Sequence, residues 1–337
     1  MLTQDRRRRV VRTLTLCAVV AACSSPAATT TPTAATTAVP PSPTLAASPT
    51  QAAAFPVTVT DDEGTAIEIA SEPVTIVSLT PANTEILFAL GAGDRVVATD
   101  DGSDHPEAAV ALPDVATFAT VDVEKVVALE PDLVVAGGLG FTPDDAITRL
   151  RGLDIPVVVV YATSVDAVYD DIELIGTATG TSDTAKTLTG DMRAEIDSIS
   201  AAASSAGTKP RVLYEVGYDD TTGAIYAPAD TSFVAEMVTL AGAETITTGD
   251  PNTYEMSLET LIAEDPQIIV LGTNPFYTPT PDAVAKRPGW DAMTAVRNGD
   301  VRPVSDIEIT RPGPRLPLGL RNLVGAIWPD LTLPAAS

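Results

Sequence analysis

The sequence predicts an α/β protein of two lobes, with parallel-type sheets joined by a single long helix, and three observations carry that expectation. The apolar runs at 74–79, 133–136, 157–161, 212–216 and 268–271 are unbroken, as in strands covered on both faces of a parallel sheet, and helical patterns lie between them. A weak repeat links the halves: VEKVVALEPDLVVAGG from Val123 and LETLIAEDPQIIVLGT from Leu258 align at an offset of 135 residues. A second pair, TEILFALGAG from Thr84 and AEMVTLAGAE from Ala235, follows in the same order, which points to a duplicated lobe. The third observation is the stretch 182–206, where Leu188, Met192, Ile196 and Ile199 form one stripe, Ser182 or Asp183 caps and Gly207 ends the helix.

Taken in order, residues 1–22 have the grammar of a signal peptide: arginines at 6–9 and 12, a short apolar run, then Val20-Ala21-Ala22-Cys23. The run is too short to span a bilayer, and the small residues before Cys23 resemble a bacterial lipobox with Cys23 as the lipidated residue. An ordinary cleaved signal is the competing reading. Residues 23–54, nearly all Ser, Thr, Pro and Ala, read as a disordered tether. The first lobe is expected over 55–181, opening on a β-hairpin turned at Asp61-Asp62-Glu63-Gly64. Its first helix starts at Thr80-Pro81, with Thr80 as cap, and stops at Gly91. The connecting helix takes 182–207, and the second lobe 208–332.

Composition narrows the function. The two cysteines, Cys17 and Cys23, both precede the folded part, so no disulfide or thiolate chemistry is available to it. His105 is the only histidine, which rules out a metal site of several imidazoles. The net charge of −25 falls to −29 once residues 1–22, with five arginines and one aspartate, are removed; nucleic acid is an improbable partner. There is no G-x-S-x-G elbow, no phosphate-cradling loop with its lysine and no identifiable triad, so an enzyme is not expected.

Against this background, IVSLTPANTEILFALGAGDRVVATD from Ile76, DVEKVVALEPDLVV from Asp122 and RPGPR at Arg311–Arg315 resemble the substrate-binding proteins of cobalamin and ferric-siderophore ABC importers. The resemblance covers about residues 74–330. It implies a helical-backbone (class III) solute-binding lipoprotein, exported and held by its lipid at the outer face of the membrane or in the periplasm. It also implies a monomer without a resident cofactor, whose ligand can itself be a metal chelate and whose partners are an ABC permease and its ATPase. Glu124 and Glu259 then match the family's permease-docking glutamates, one per lobe. Independently, each lies in the first turn of a helix after a plausible cap, Asp122 or Ser257, where the alternative role is to complement the helix dipole.

The ligand is expected at the carboxyl ends of the strands. Of 15 aromatics, Phe118, Phe141, Tyr161, Tyr218, Tyr226, Tyr254, Phe276 and Tyr277 fall in or near segments placed there, suggesting a broad apolar cleft. Pro81 and Asn83, at the start of the first helix, join this set. His105 and Phe118 match positions where the cobalamin relatives carry ligand-facing aromatics. Asp306, Arg311 and Arg315 follow the strand expected at 301–304 and are assigned to the far side of the cleft, the arginines to grip ligand oxygens or, alternatively, to cap the last helix. A ferric siderophore or a corrinoid is the expected ligand. Haem ligated by Tyr or His105, and a sensing or adhesion module without transport, are the alternatives.

Overall fold

A computed structural model of the chain describes residues 55–247 and 255–336. The signal segment, Cys23 and the tether lie outside the described residues, as does Tyr254.

The expected hairpin is present: β1 (Val57–Thr60) pairs antiparallel with β2 (Ala66–Ile69). Its turn is fastened to the first lobe, where the buried Asp61 carboxylate accepts from Arg151 Nη2 at 2.6 Å and from Val159 N at 3.2 Å. The first-lobe sheet comprises β3 (Ile76–Ser78), β4 (Val96–Asp100), β5 (Asp114–Thr117), β6 (Thr120–Val121), β7 (Leu133–Gly137) and β8 (Val157–Val160). The order is β6-β5-β4-β3-β7-β8, parallel throughout except for β5 against β6. Five helices accompany it: α1 (Pro81–Ala89), α2 (Glu107–Val110), α3 (Val123–Ala128), α4 (Asp144–Arg151) and α5 (Val165–Thr179). α1 begins as its sequence dictates, with Thr80 Oγ1 accepting from Asn83 N at 3.4 Å and Pro81 in the first turn, where its missing N–H is not needed.

The long helix, α6 (Ser182–Ser204), starts where its sequence suggested, but its cap is Thr181 instead of Ser182 or Asp183. Gly180, at φ +76°, ends α5 immediately before it, so Thr181 takes the cap position without a side-chain capping bond and Ser182 lies inside the first turn. Met192, Ile196 and Ile199 are buried. They belong to one continuous apolar core that includes Val135 and Val158 of the first sheet and Val212 and Val270 of the second. The alternate strand residues, Val134 and Val157 or Leu213 and Ile269, enter separate cores on the outer faces. α6 is therefore a spine packed into both lobes.

The second lobe contains β9 (Arg211–Glu215), β10 (Gly217–Tyr218), β11 (Ile225–Tyr226), β12 (Glu244–Thr245), β13 (Glu255–Met256), β14 (Ile268–Thr273) and β15 (Val301–Ser305). Its helices are α7 (Phe233–Leu240), α8 (Leu258–Glu264), α9 (Pro281–Val284), α10 (Thr294–Asn298), α11 (Ile307–Thr310) and α12 (Leu316–Ile327). The parallel sheet β12-β9-β14-β15 reproduces the order β4-β3-β7-β8 of the first lobe. Pro303 is accommodated because β15 is an edge strand. The expectation of parallel-type sheets needs one correction, since β10, β11 and β13 form a small antiparallel sheet. Strands of two residues leave no periodicity to read.

The sequence repeat is repeated in three dimensions. Asp122 caps α3 by accepting from Lys125 N at 3.1 Å, and Ser257 caps α8 by accepting from Thr260 N at 3.1 Å. Both helices end in a non-glycine residue with positive φ just before a proline: Glu130 at +48° and Asp265 at +41°, again 135 residues apart. Proline disfavours helical backbone in the residue before it, so each copy leaves its helix by the same strained step.

Candidate ligand cleft

The start of α1, the carboxyl ends of β7 and β8, and the loop after α11 surround a cavity of about 280 Å³ between the lobes. Its position follows the rule that open α/β sheets bind at strand carboxyl ends. The Gly137-Gly138 step lets the chain after β7 pass close to its neighbours: a Cβ on Gly138 would lie 2.1 Å from the Tyr161 ring, and one on Gly137 2.7 Å from Thr80 Cγ2. Beyond this step, Leu139 and Phe141 are largely exposed at the cavity wall, and Phe118 meets Phe141 edge-to-face at 6.2 Å between centroids. Apolar side chains left open beside a cavity give it a surface that an apolar ligand would cover. Ile86, Val160 and Phe233, the last from the second lobe, complete the apolar wall.

Two buried polar side chains interrupt it. Asn83 lines the cavity and is 2% exposed, and its Nδ2 has no hydrogen-bond partner among the described residues. Asp171, from α5, is 5% exposed. Burial, followed by the charge of Asp62 and a shared hydrogen bond with it, pushes the Asp171 carboxyl up to about 9, so it is a neutral acid at pH 7. Asp62 is itself held in place by Tyr161, whose backbone N–H donates to its carboxylate at 2.6 Å and whose hydroxyl donates to its carbonyl at 3.0 Å.

The arginines are engaged with protein groups. Glu85 of α1 is buried, and its carboxylate receives Arg311 Nη1 at 2.7 Å, Arg315 Nε at 2.8 Å and Arg315 Nη2 at 2.6 Å. Arg311 also donates to Asp104 at 2.7 Å and Arg315 to Glu308 at 3.0 Å. Three carboxylates thus neutralise two guanidinium groups across the boundary between the lobes. Of the two arginines only Arg311 lines the cavity, while Arg315 occupies the cap position of α12 without a capping bond.

The remaining sequence candidates separate. Pro81, Asn83, Phe118, Phe141, Tyr161 and Arg311 meet in the cavity. The exposed His105 lies instead in a shallow depression with Glu85, Phe88, Pro314 and Arg315. Asp306 is buried beneath the second sheet, accepting from the Tyr214 hydroxyl at 2.7 Å; burial raises its pKa, and the bonds from Tyr214 and Asn274 oppose that. Tyr218 stacks edge-to-face on Trp290 at 5.8 Å and carries the Arg287 guanidinium over its ring at 3.8 Å. Tyr277 donates to Glu215 at 2.5 Å, Tyr226 lies on β11 and Phe276 is fully exposed. Sequence reading missed Glu85, Asp171 and Phe233. For Asp171 a signal exists, because it falls with Val168, Ile172 and Ile175 on one helical stripe.

Glu124 and Glu259 are exposed, and neither forms an ion pair among the described residues. One turn further along, Val127 and Ile262 are exposed aliphatic residues, once more 135 positions apart. Each lobe thus presents a carboxylate beside an apolar side chain on the same helix.

The profile of the periplasmic binding protein family matches residues 76–306. The chain belongs to that family. It is 34% identical over 280 residues to the uncharacterized ABC transporter substrate-binding lipoprotein YvrC of Bacillus subtilis, covering 82% of this chain and 87% of that one. It is 31% identical over 275 residues to a cobalamin-binding protein of Halobacterium salinarum, covering 79% and 72%. The solved periplasmic vitamin B12-binding protein BtuF of Vibrio cholerae superposes with a TM-score of 0.65 at 25% identity, over 76% of this chain and 97% of that one. The periplasmic haem-binding protein RhuT of Roseiflexus superposes equally well, with a TM-score of 0.67 at 25% identity over 76% and 98%. This periplasmic binding protein has the two-lobed, helical-backbone architecture expected, and the family consists of substrate-binding proteins of transporters.

Proposed function

We propose that this periplasmic binding protein is a lipid-anchored receptor that captures a corrinoid between its lobes and hands it to an ABC permease, with no catalytic activity. The observation that carries the reading is the engagement of the cleft arginines with Glu85, Asp104 and Glu308. An anionic chelate entering an acidic protein would need a cation free to meet it, whereas a ligand with an apolar body and uncharged amide groups would not. The 31% identity to a cobalamin-binding protein favours the same ligand class. Haem is disfavoured because the Tyr161, Tyr214 and Tyr277 hydroxyls are all engaged and His105 lies away from the cavity.

Absorbance titration of the full chain with cyanocobalamin, haem and several ferric siderophores tests this. Saturable binding of cyanocobalamin alone is expected, and binding of haem alone would overturn the corrinoid assignment. Delivery is assigned to Glu124 and Glu259, and anchoring to Cys23. Glu124→Lys with Glu259→Lys is expected to abolish uptake in cells while leaving ligand affinity unchanged; normal uptake would remove the docking role and favour a sensing module.

A further inference from the structure

We infer that Asn83 and Asp171 together form a recognition pair for an uncharged carboxamide or carbonyl group of the ligand, and that this pair excludes a carboxylate at the same place. The inference rests on the reading of the cleft as a ligand site and specifies what that site selects.

Two independent features of the cavity lead to it. Asn83 Nδ2 is buried without a partner among the described residues, and an unsatisfied buried donor is costly, so a ligand acceptor that reaches it gains a hydrogen bond the free protein lacks. Asp171 is a buried acid lining the same cavity, hydrogen-bonded to Asp62 of the hairpin turn. With its O–H turned to Asp62, the neutral Asp171 carboxyl keeps a carbonyl acceptor for a ligand, and the Asn83 amide offers N–H donors. An amide presents the complementary set: a carbonyl to accept and an N–H to donate.

A carboxylate would have no such welcome. Asp62 faces Asp171 from the hairpin, Asp170 adjoins it on α5 and Tyr161 lines the same cavity. Among the described residues the one cation lining the cavity, Arg311, is held by Glu85 and Asp104. A second ionised carboxylate beside Asp171 would be buried next to like charge, which is strongly unfavourable.

The test compares cyanocobalamin with its corrin-ring monocarboxylic acids, in which one amide is replaced by a carboxylate, titrated into the full chain by calorimetry. For at least one monoacid, wild-type protein is expected to bind tenfold or more weakly than the parent. Asn83→Leu and Asp171→Leu should each weaken cyanocobalamin about tenfold and reduce discrimination against that monoacid. Asp171→Asn, which keeps a donor and an acceptor, should recover most of the affinity lost in Asp171→Leu, and melting curves verify that each variant is folded. Equal binding of parent and all monoacids, or an Asp171→Leu protein that binds like wild type, overturns the inference while leaving the corrinoid reading intact. If haem binds and cyanocobalamin does not, the corrinoid reading fails, and the pair is judged by haem bisamide against haem: tighter binding of the bisamide sustains it and tighter binding of haem overturns it. Binding of none of these ligands overturns both.

Discussion

The two lobes share a strand order, but one buried polar cluster in each is used in the opposite way. In the second lobe the members of the cluster satisfy one another. Glu215, wholly buried at the end of β9, receives Arg287 through bonds of 2.6 and 3.0 Å and the Tyr277 hydroxyl at 2.5 Å, and Arg287 packs over the rings of Tyr218 and Trp290. In the first lobe, Asn83 Nδ2 remains without a partner and Asp171 is held as a neutral acid. A closed network stiffens a lobe, while an open one keeps bonding capacity for something that arrives later. Selectivity is therefore assigned to the first lobe and shape to the second.

The sharpest way to break this contrast is at Arg287. Removing one partner of a buried ion pair leaves an uncompensated charge, which costs about 3–5 kcal/mol. Arg287→Ala should lower stability by about that amount in denaturant unfolding of the full chain. A loss below about 1 kcal/mol would mean that Glu215 is solvated or neutral and that the second-lobe network does not stiffen the protein.

At Asp171 the opposite sign is expected. Its folded-state pKa of about 9 lies above the ordinary carboxyl value of 3.8, so the folded protein binds this proton more tightly than the unfolded chain does. The group's contribution is fully present below about pH 4 and is lost as pH rises towards 9. Asp171→Asn should therefore be more stable than wild type at neutral pH. The gap should widen by at most about 1.4 kcal/mol per pH unit up to pH 9. Parallel stability curves for the two proteins from pH 5 to 9 would show that Asp171 ionises normally. A gain in stability in Asp171→Asn, at a position where Asp171→Leu weakens binding, is the expected signature of a residue kept for ligand recognition.

Glu85 tests the boundary between these regions. Its buried carboxylate ties α1 of the first lobe to Arg311 and Arg315 of the second, so Glu85→Gln leaves two cations short of a counter-charge. A stability loss of about 1–3 kcal/mol is expected, together with improved binding of anionic ligands such as haem, because Arg311 is released at the cavity. Unchanged preference between cyanocobalamin and haem in this variant would show that paired arginines do not set the charge of the ligand.

Much of the fold was legible in the sequence because it is written in local signals. Unbroken apolar runs gave the parallel strands, Thr80-Pro81 gave the start of α1, and the 135-residue offset located matching helices and strands in both lobes. The cleft was legible only in part. Pro81, Asn83, Phe118, Phe141, Tyr161 and Arg311 do converge, since they follow strand ends that a parallel sheet brings to one side. The destination of Arg315 depended on Glu85, 230 residues away, and a pairing at that separation leaves no pattern in either segment. Asp306 and Tyr218, expected at the ligand, lie outside the cavity lining for the same reason: their partners Tyr214 and Trp290 belong to other elements. Aromatic content near strand ends identifies candidates, but only packing shows which of them are already in use.

The smallest expected effect on stability concerns the outer surface, where the lobes are again alike. Glu124 with Val127 and Glu259 with Ile262 form two equivalent patches, each an exposed carboxylate with an exposed aliphatic one helical turn away. Exposed side chains of this kind contribute within about 0.5 kcal/mol to folding, so Val127→Ser with Ile262→Ser should leave the melting curve unchanged. If the patches dock as a pair on a two-fold permease, each aliphatic adds contact area beside its charge. The double serine variant should then lower uptake several-fold at limiting ligand while binding ligand normally. A single substitution should produce a smaller loss, because the remaining patch still holds the receptor in place. Loss of uptake from one lobe's variant alone would break the symmetry, and would assign docking to one lobe despite the repeat.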